Sequence, residues 1–330
     1  MPAAHPVKTR TLVVALIIVV VATFAPAVVV GAIGWTSVLP VAMMAGLAAS
    51  MATAMGRGWR TALAMAAPYA IFSALVVWTA PYPLAVAVAM GAAAFLRGLA
   101  ASTGLHNAVL VSVVALGFLV AQPPQPQLEI AVPVFTGLVV LATVLWVTLV
   151  SFLARRWVPS LPLTPLSWAR TLIFSAVLAV LVGIATWFVA DLHLQHTGGW
   201  IILTILVVFQ PYLQDGMRKA FARAGGTFLG FLIAILIGLV TSNAVVLYVV
   251  GTIFIVVAMY VMLSKRPYWL YATFLTPSVV LFDGANSSVL QTAEERLGAT
   301  MIAVVGTMAV ILALTPLAKY VAERYGVERY

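Results

Sequence analysis

Arg296 stands apart among the charged residues. It lies in QTAEERLGATMIAVVGT, at the edge of an apolar run, with Glu294 and Glu295 beside it. A cation at a helix N-terminus meets the positive end of the helix dipole. Something must compensate it: the neighbouring acids, Asp283, or a bound anion. A second polar group is VVFQPYLQDGMRKAFARAGG, residues 207–226. Pro211 lacks a backbone donor and biases Gln210 away from helical geometry. Asp215, Lys219 and Arg223 follow at i, i+4 and i+8, near one helix face with the acid N-terminal to the bases. Two readings fit the trio. One is a cationic vestibule that gathers organic anions; the other is membrane-edge anchoring with a surface ion pair of little energy. Arg218 and Lys219 suit anchoring, whereas Arg223, nearer the apolar run, suits either.

A third group is SKRPYWLYATFLTPSVVLFDG, residues 264–284. Pro267, Tyr268 and Trp269 read as a membrane-interface belt. Tyr271 and Phe274, deeper in the run, are placed to stack on an aromatic ligand. Pro277 interrupts the run and Asp283 closes it. In the first half the corresponding span begins LHNAVLVS, which puts His106 and Asn107 at the same edge. A snorkelled interfacial histidine and a seam-facing one both fit. Asp283, Asp191, His106 and Glu295 are the titratable groups whose type and position suit proton coupling. Catalytic chemistry is poorly served. With no cysteine in the chain, disulfides, thiolate metal sites and cysteine nucleophiles are excluded. Asp191, His193 and His196 are spaced i, i+2, i+5, which is not a good helical metal site. No catalytic set, metal site or cofactor motif is assigned.

These groups must be held by helices in lipid. Of 330 residues, 64% are hydrophobic and 8% charged, against roughly a quarter charged in soluble proteins. The formal net charge of +9 does not imply nucleic acid, because the cations sit singly or in pairs between apolar runs, without interleaved aromatics. A spanning helix needs about 20 apolar residues. Twelve candidates are legible, at 11–32, 35–55, 61–79, 82–101, 107–121, 133–153, 169–190, 198–213, 223–240, 244–263, 268–282 and 297–317. The first reads as an uncleaved transmembrane helix rather than a signal peptide. Between Gly199 and Gln210 the eighth apolar run is only about 12 residues, or about 18 Å. It is either a short or broken helix, or a tilted one that begins near Asp191 and ends at the proline.

Alternating sides along the chain puts Lys8, Arg10, Arg57, Arg60, Arg97, Arg155, Arg156, Arg170, Arg218, Lys219, Arg223, Lys265, Arg266, Lys319, Arg324 and Arg329 on one face. The other face receives Arg296 with Glu129, Asp191, Asp283, Glu294 and Glu295. The positive-inside rule then predicts both termini in the cytoplasm.

The halves echo one another: TRTLVVA at 9–15 and ARTLIFS at 169–175, Gly34-Trp35 and Gly199-Trp200, RGWRT at 57–61 and RAGGT at 223–227. The expected architecture is all-α and polytopic, with two parallel six-helix repeats about an axis along the membrane normal. The first repeat is 1–154, a Pro-rich cytoplasmic linker is 155–168, the second repeat is 169–318 and a cytoplasmic tail is 319–330. Gly225, Gly226 and Gly230 are expected to let a neighbouring helix approach closely.

In order, GGWIILTILVVFQPYLQDGMRKAFARAGGTFLG, YATFLTPSVVLF and RLGATMIAVVGT followed by LTP span roughly 168–318. This set resembles the second half of the fusaric-acid-resistance-like, or aromatic acid exporter (FUSC), family of membrane proteins. The pieces that carry it are Gly199-Trp200, Gln210-Pro211, Arg223 with Gly226-Thr227, Thr276-Pro277, and Arg296 with Gly298. The first half looks like a diverged copy. The resemblance implies a multi-pass protein of the bacterial inner membrane that exports aromatic carboxylic acids or similar weak acids. Plant aluminium-activated malate channels are distantly similar, which makes passive anion conduction the alternative mode. A membrane enzyme or assembly subunit acting on lipid-linked substrates is the remaining reading. Many members carry a large hydrophilic cytoplasmic domain, and no segment here has room for one. The residues assigned to substrate binding or gating are Arg296, Arg223, Gln210, Pro211, Trp200, Tyr271, Phe274, Pro277 and Asp283. The expected partners are a small organic anion, the lipid bilayer and further copies of the chain, with no nucleic acid.

Overall fold

A computed structural model describes residues 9–125, 130–156, 163–194, 197–264, 266–284 and 288–325. Within them the chain is helical, with no strand among the described residues. The helices are α1 (Thr9–Ala32), α2 (Leu39–Met55), α3 (Trp59–Thr79), α4 (Pro83–Leu99), α5 (Leu110–Ala121), α6 (Val132–Leu153), α7 (Trp168–Asp191), α8 (Gly198–Val208), α9 (Leu213–Val240), α10 (Ala244–Leu263), α11 (Tyr268–Gly284) and α12 (Val289–Tyr325). Eight helices are long and apolar enough to cross a membrane among the described residues. Large apolar side chains such as Val28, Trp78, Leu239 and Val240 are exposed, as a lipid-facing surface requires. The chain is a multi-pass membrane protein.

Local chemistry accounts for several helix ends. Prolines stand in the first turns of α2, α4 and α6, where the missing N–H costs nothing. The Asn243 side chain accepts hydrogen bonds from the amides of Val245 (3.0 Å) and Val246 (3.2 Å) and so caps α10. Pro211 ends α8 after 11 residues, which is the short-helix outcome. Two boundaries differ from expectation. α9 begins at Leu213, because QDGMRKAFAR is itself helix-forming once the proline is passed. α12 begins at Val289, where the Ser288 hydroxyl accepts from the Gln291 amide and the polar stretch QTAEER continues the helix into the apolar run.

The chain divides into two compact units, Met1–Gln195 and His196–Tyr330. In the first, α3 packs along α6, α4 along α7, and α2 against α1 and α6. α7, which carries the ARTLIFS echo of TRTLVVA, packs inside this unit. Small residues make that possible: a Cβ at Gly98 would lie 2.5 Å from Ser175 Cα, and one at Gly91 would lie 3.2 Å from the Ala179 carbonyl oxygen. Thr23 and Ser50 share a buried hydroxyl–hydroxyl bond of 2.8 Å between α1 and α2.

In the second unit α9 packs against α11 and α12, α10 against α11, and α8 against α12. Ala234, Val280 and Ala293 form a fully buried centre, flanked by Phe231, Ile235 and Val289. A Cβ at Gly226 would lie 2.5 Å from the Trp269 carbonyl oxygen, and one at Gly230 would lie 2.6 Å from Thr276 Cβ. Any side chain there would drive α9 and α11 apart. Gly225 differs from expectation: it faces open space. Pro277 differs too, since α11 stays helical through it. Proline removes the donor to the Thr273 carbonyl, and that oxygen lies against Gly230.

Candidate functional site

The sequence order of α8, α9, α11 and α12 brings four polar or aromatic features together in the second unit. Arg223 sits in α9 and is 1% exposed. Its Nη1 donates to the Tyr268 hydroxyl at 3.4 Å, while Nε and Nη2 have no hydrogen-bond partner. Gly226, one turn on, is what lets α11 come close enough for Tyr268 to meet it. Arg296, in the third turn of α12, is 2% exposed, and its guanidinium carbon lies 3.8 Å from the Trp200 ring centroid. Trp200, near the start of α8, is itself buried. Tyr271 links the two halves of the cluster. Its ring lies 5.9 Å from that of Tyr268, and its hydroxyl interacts electrostatically with Tyr268, Arg223 and Arg296.

Depth along the helices follows from a shared reference. Val289 at the start of α12 lies against both Gly238 of α9 and Gly284 of α11. Counting back from there at 1.5 Å per residue puts Arg296 about 10 Å in, Tyr271 about 20 Å and Arg223 about 22 Å. The backbones of the two arginines thus sit roughly a dozen ångströms apart in depth, with Tyr271 near the level of Arg223. Arg296 was expected at the outer end of its span. The early start of α12 buries it within the helix instead, and Glu295 accepts a hydrogen bond from Gln291 at 2.9 Å.

Threonines extend this polar track. Most helical threonines here bond back to the carbonyl four residues earlier, as Thr204 does to Trp200 and Thr307 to Ala303. Thr227, Thr276 and Thr300 do not: all three are buried and their hydroxyls have no hydrogen-bond partner. Thr227 follows Arg223, and Thr300 follows Arg296, by one helical turn on the same face. Two guanidiniums, two phenols, an indole face and spare hydroxyls make a donor-rich, aromatic environment suited to an anion with a planar ring.

The remaining candidates fall elsewhere. Gln210 is buried, and its amide nitrogen donates to the carbonyls of Val207 (2.8 Å) and Phe209 (3.3 Å), so with Pro211 it closes the end of α8. Phe274 packs at 6.1 Å from Phe254 of α10 and serves the helix contact. Pro277 meets Gly230. Asp283 lies in the last turn of α11, its side chain outside the described residues. Asp215 and Arg218 are exposed, and Lys219 is partly buried. Asp191 is exposed at the end of α7, and His196 and Glu129 lie outside the described residues. His106 is in the first unit, 6% exposed, with its ring edge-on to Phe174 at 6.1 Å. Sequence reasoning had placed Tyr268 only in an interfacial belt and counted Arg97 as a loop cation. Arg97 is in fact 1% exposed in the last turns of α4. The pairing of an arginine with Gly98 inside an apolar run was the available signal.

Residues 184–310 match a family model described as fusaric acid resistance protein-like. The match runs from the end of α7 through most of α12 and takes in Trp200, Arg223, Tyr268, Tyr271 and Arg296. It bears out the family resemblance carried by the second half and supports a role in membrane transport or efflux. Comparison with curated proteins and with solved structures finds no match.

Proposed function

We propose that the chain is an exporter of organic anions, aromatic carboxylic acids foremost, in the bacterial inner membrane. The observation that carries this reading is the pair Arg223 and Arg296, both buried in a lipid-embedded unit, the first bonded to Tyr268 and the second stacked on Trp200. A buried cation costs several kcal/mol unless it is paired, and a carboxylate supplies that pairing where Arg223 offers free nitrogens. Tyr271 and Trp200 provide ring faces for the aromatic part of the ligand. Thr227 and Thr300 supply donors along the path.

Recurrent packing supports the two-repeat architecture. α2 and α3 both pack on α6, as α8 and α9 both pack on α12, a shift of six helices. With sixteen of the seventeen cations on the inferred cytoplasmic face, both termini belong in the cytoplasm. An inside-negative potential favours anion exit by about 2.3 kcal/mol per charge per 100 mV, so proton coupling is not required for export.

The test is uptake of a panel of aromatic and aliphatic carboxylates into inverted vesicles, with and without a proton gradient. Saturable uptake with preference for aromatic acids is expected. Absence of uptake of any organic anion contradicts the reading. Uptake that ignores the proton gradient and follows the membrane potential alone assigns passive conduction.

A further inference from the structure

We infer that the first unit holds a separate binding site, built on Arg97, for a compact monovalent anion of the size of chloride or formate. Arg97 Nε donates to the His106 carbonyl at 3.2 Å, which fixes the guanidinium. Its Nη1 and Nη2 are buried and have no hydrogen-bond partner. The guanidinium carbon lies 5.9 Å from the Phe174 ring centroid. Thr171, one turn before Ser175 on α7, is 0% exposed and its hydroxyl has no hydrogen-bond partner. A fork of two unused donors meets an aromatic ring at one end of the α4–α7 pair, with a spare hydroxyl one turn before Ser175 on α7.

Charge bookkeeping points outside the chain. Arginine does not deprotonate in proteins, and a buried guanidinium without a counter-charge is strongly destabilising. The negative end of α4 offsets only part of that. The first unit contains two acids, Glu129 and Asp191. Asp191 is exposed and lies twenty residues beyond Thr171 on α7, about 30 Å away along the helix. Glu129 lies outside the described residues.

Space sets the ligand class. α4 and α7 touch where Gly98 lies against the Cα, Cβ and Oγ of Ser175. The segment before α7 is tied down by the Leu166 amide, which donates to the Ala101 carbonyl at 2.9 Å. Phe174 is 3% exposed. Packing this close suits a compact anion and not an aromatic acid, which distinguishes this site from the cluster in the second unit.

The experiment is thermal unfolding of the purified full-length chain in lipid nanodiscs, with sodium gluconate replaced by sodium chloride or sodium formate at constant ionic strength. Wild type is expected to show a saturable rise in Tm with both anions, and Arg97→Gln is expected to show none. Arg97→Lys keeps the charge but loses the two-nitrogen fork; its half-saturating concentration is expected to rise at least about tenfold. That arm decides the matter if Arg97→Gln does not fold. A flat response in wild type, or the wild-type midpoint in Arg97→Lys, overturns the inference.

Discussion

Trp35 and Trp200 stand in matching Gly-Trp pairs, 165 residues apart, yet they face different chemistry. Trp35 meets Phe135 of α6 edge-on at 5.1 Å, whereas Trp200 carries the Arg296 guanidinium on its face. The same contrast separates His106 from Tyr271, related by the same offset. It also separates Arg57, which is exposed, from its echo Arg223, which is buried. The sequence echoes between the halves do not carry over to the Arg223–Arg296 cluster. In the first unit the counterpart of Arg223 is exposed, and the counterpart of Tyr271 is the buried His106, edge-on to Phe174. The buried cation there, Arg97, comes from a different helix and is fixed by a backbone carbonyl. Arg223 is held by one long bond to a phenol. A guanidinium held that loosely can exchange partners, as a transport site requires.

Breaking the charged cluster should have the largest effect. Arg223→Gln removes the group with free nitrogens and is expected to cost about 2–5 kcal/mol of anion binding, read as a loss of roughly thirtyfold or more in carboxylate uptake. Next comes the scaffold. Gly226→Leu forces α9 from the α11 backbone and should lower stability by about 1–3 kcal/mol or more, seen as a drop in Tm in nanodiscs. Gly225→Ala, which faces open space, should leave Tm nearly unchanged.

The tryptophan pair sharpens the contrast. Trp200→Ala is expected to raise the KM for aromatic acids by roughly five- to thirtyfold, for about 1–2 kcal/mol of aromatic and cation–π contact. Trp35→Ala should lower Tm and leave that KM in place. Smallest of all is Arg57→Gln, an exposed site where a change within about 0.5 kcal/mol is expected in both stability and uptake.

Much of the scaffold was legible in the sequence, because long apolar runs in lipid have no alternative to helix. The eighth span stayed open between a short helix and a tilted one, while Pro211 as a helix end and the close approach at Gly226 and Gly230 followed from residue type. The starts of α9 and α12 did not, since polar helical turns there carry no hydropathy signal. That error hid the depth of Arg296. Arg97 and Tyr268 were missed for a related reason. A residue near the end of a span reads as interfacial whether it points to water or into the core, and the close approach at Gly98 and Gly226 decides which.

Equilibrium binding of radiolabelled benzoate to the purified full-length chain in nanodiscs, for wild type, Arg223→Gln and Arg57→Gln, tests the central claim most directly. One saturable site in wild type, kept in Arg57→Gln and lost in Arg223→Gln, is the predicted result. The same Kd in Arg223→Gln as in wild type would contradict a recognition site in the second unit.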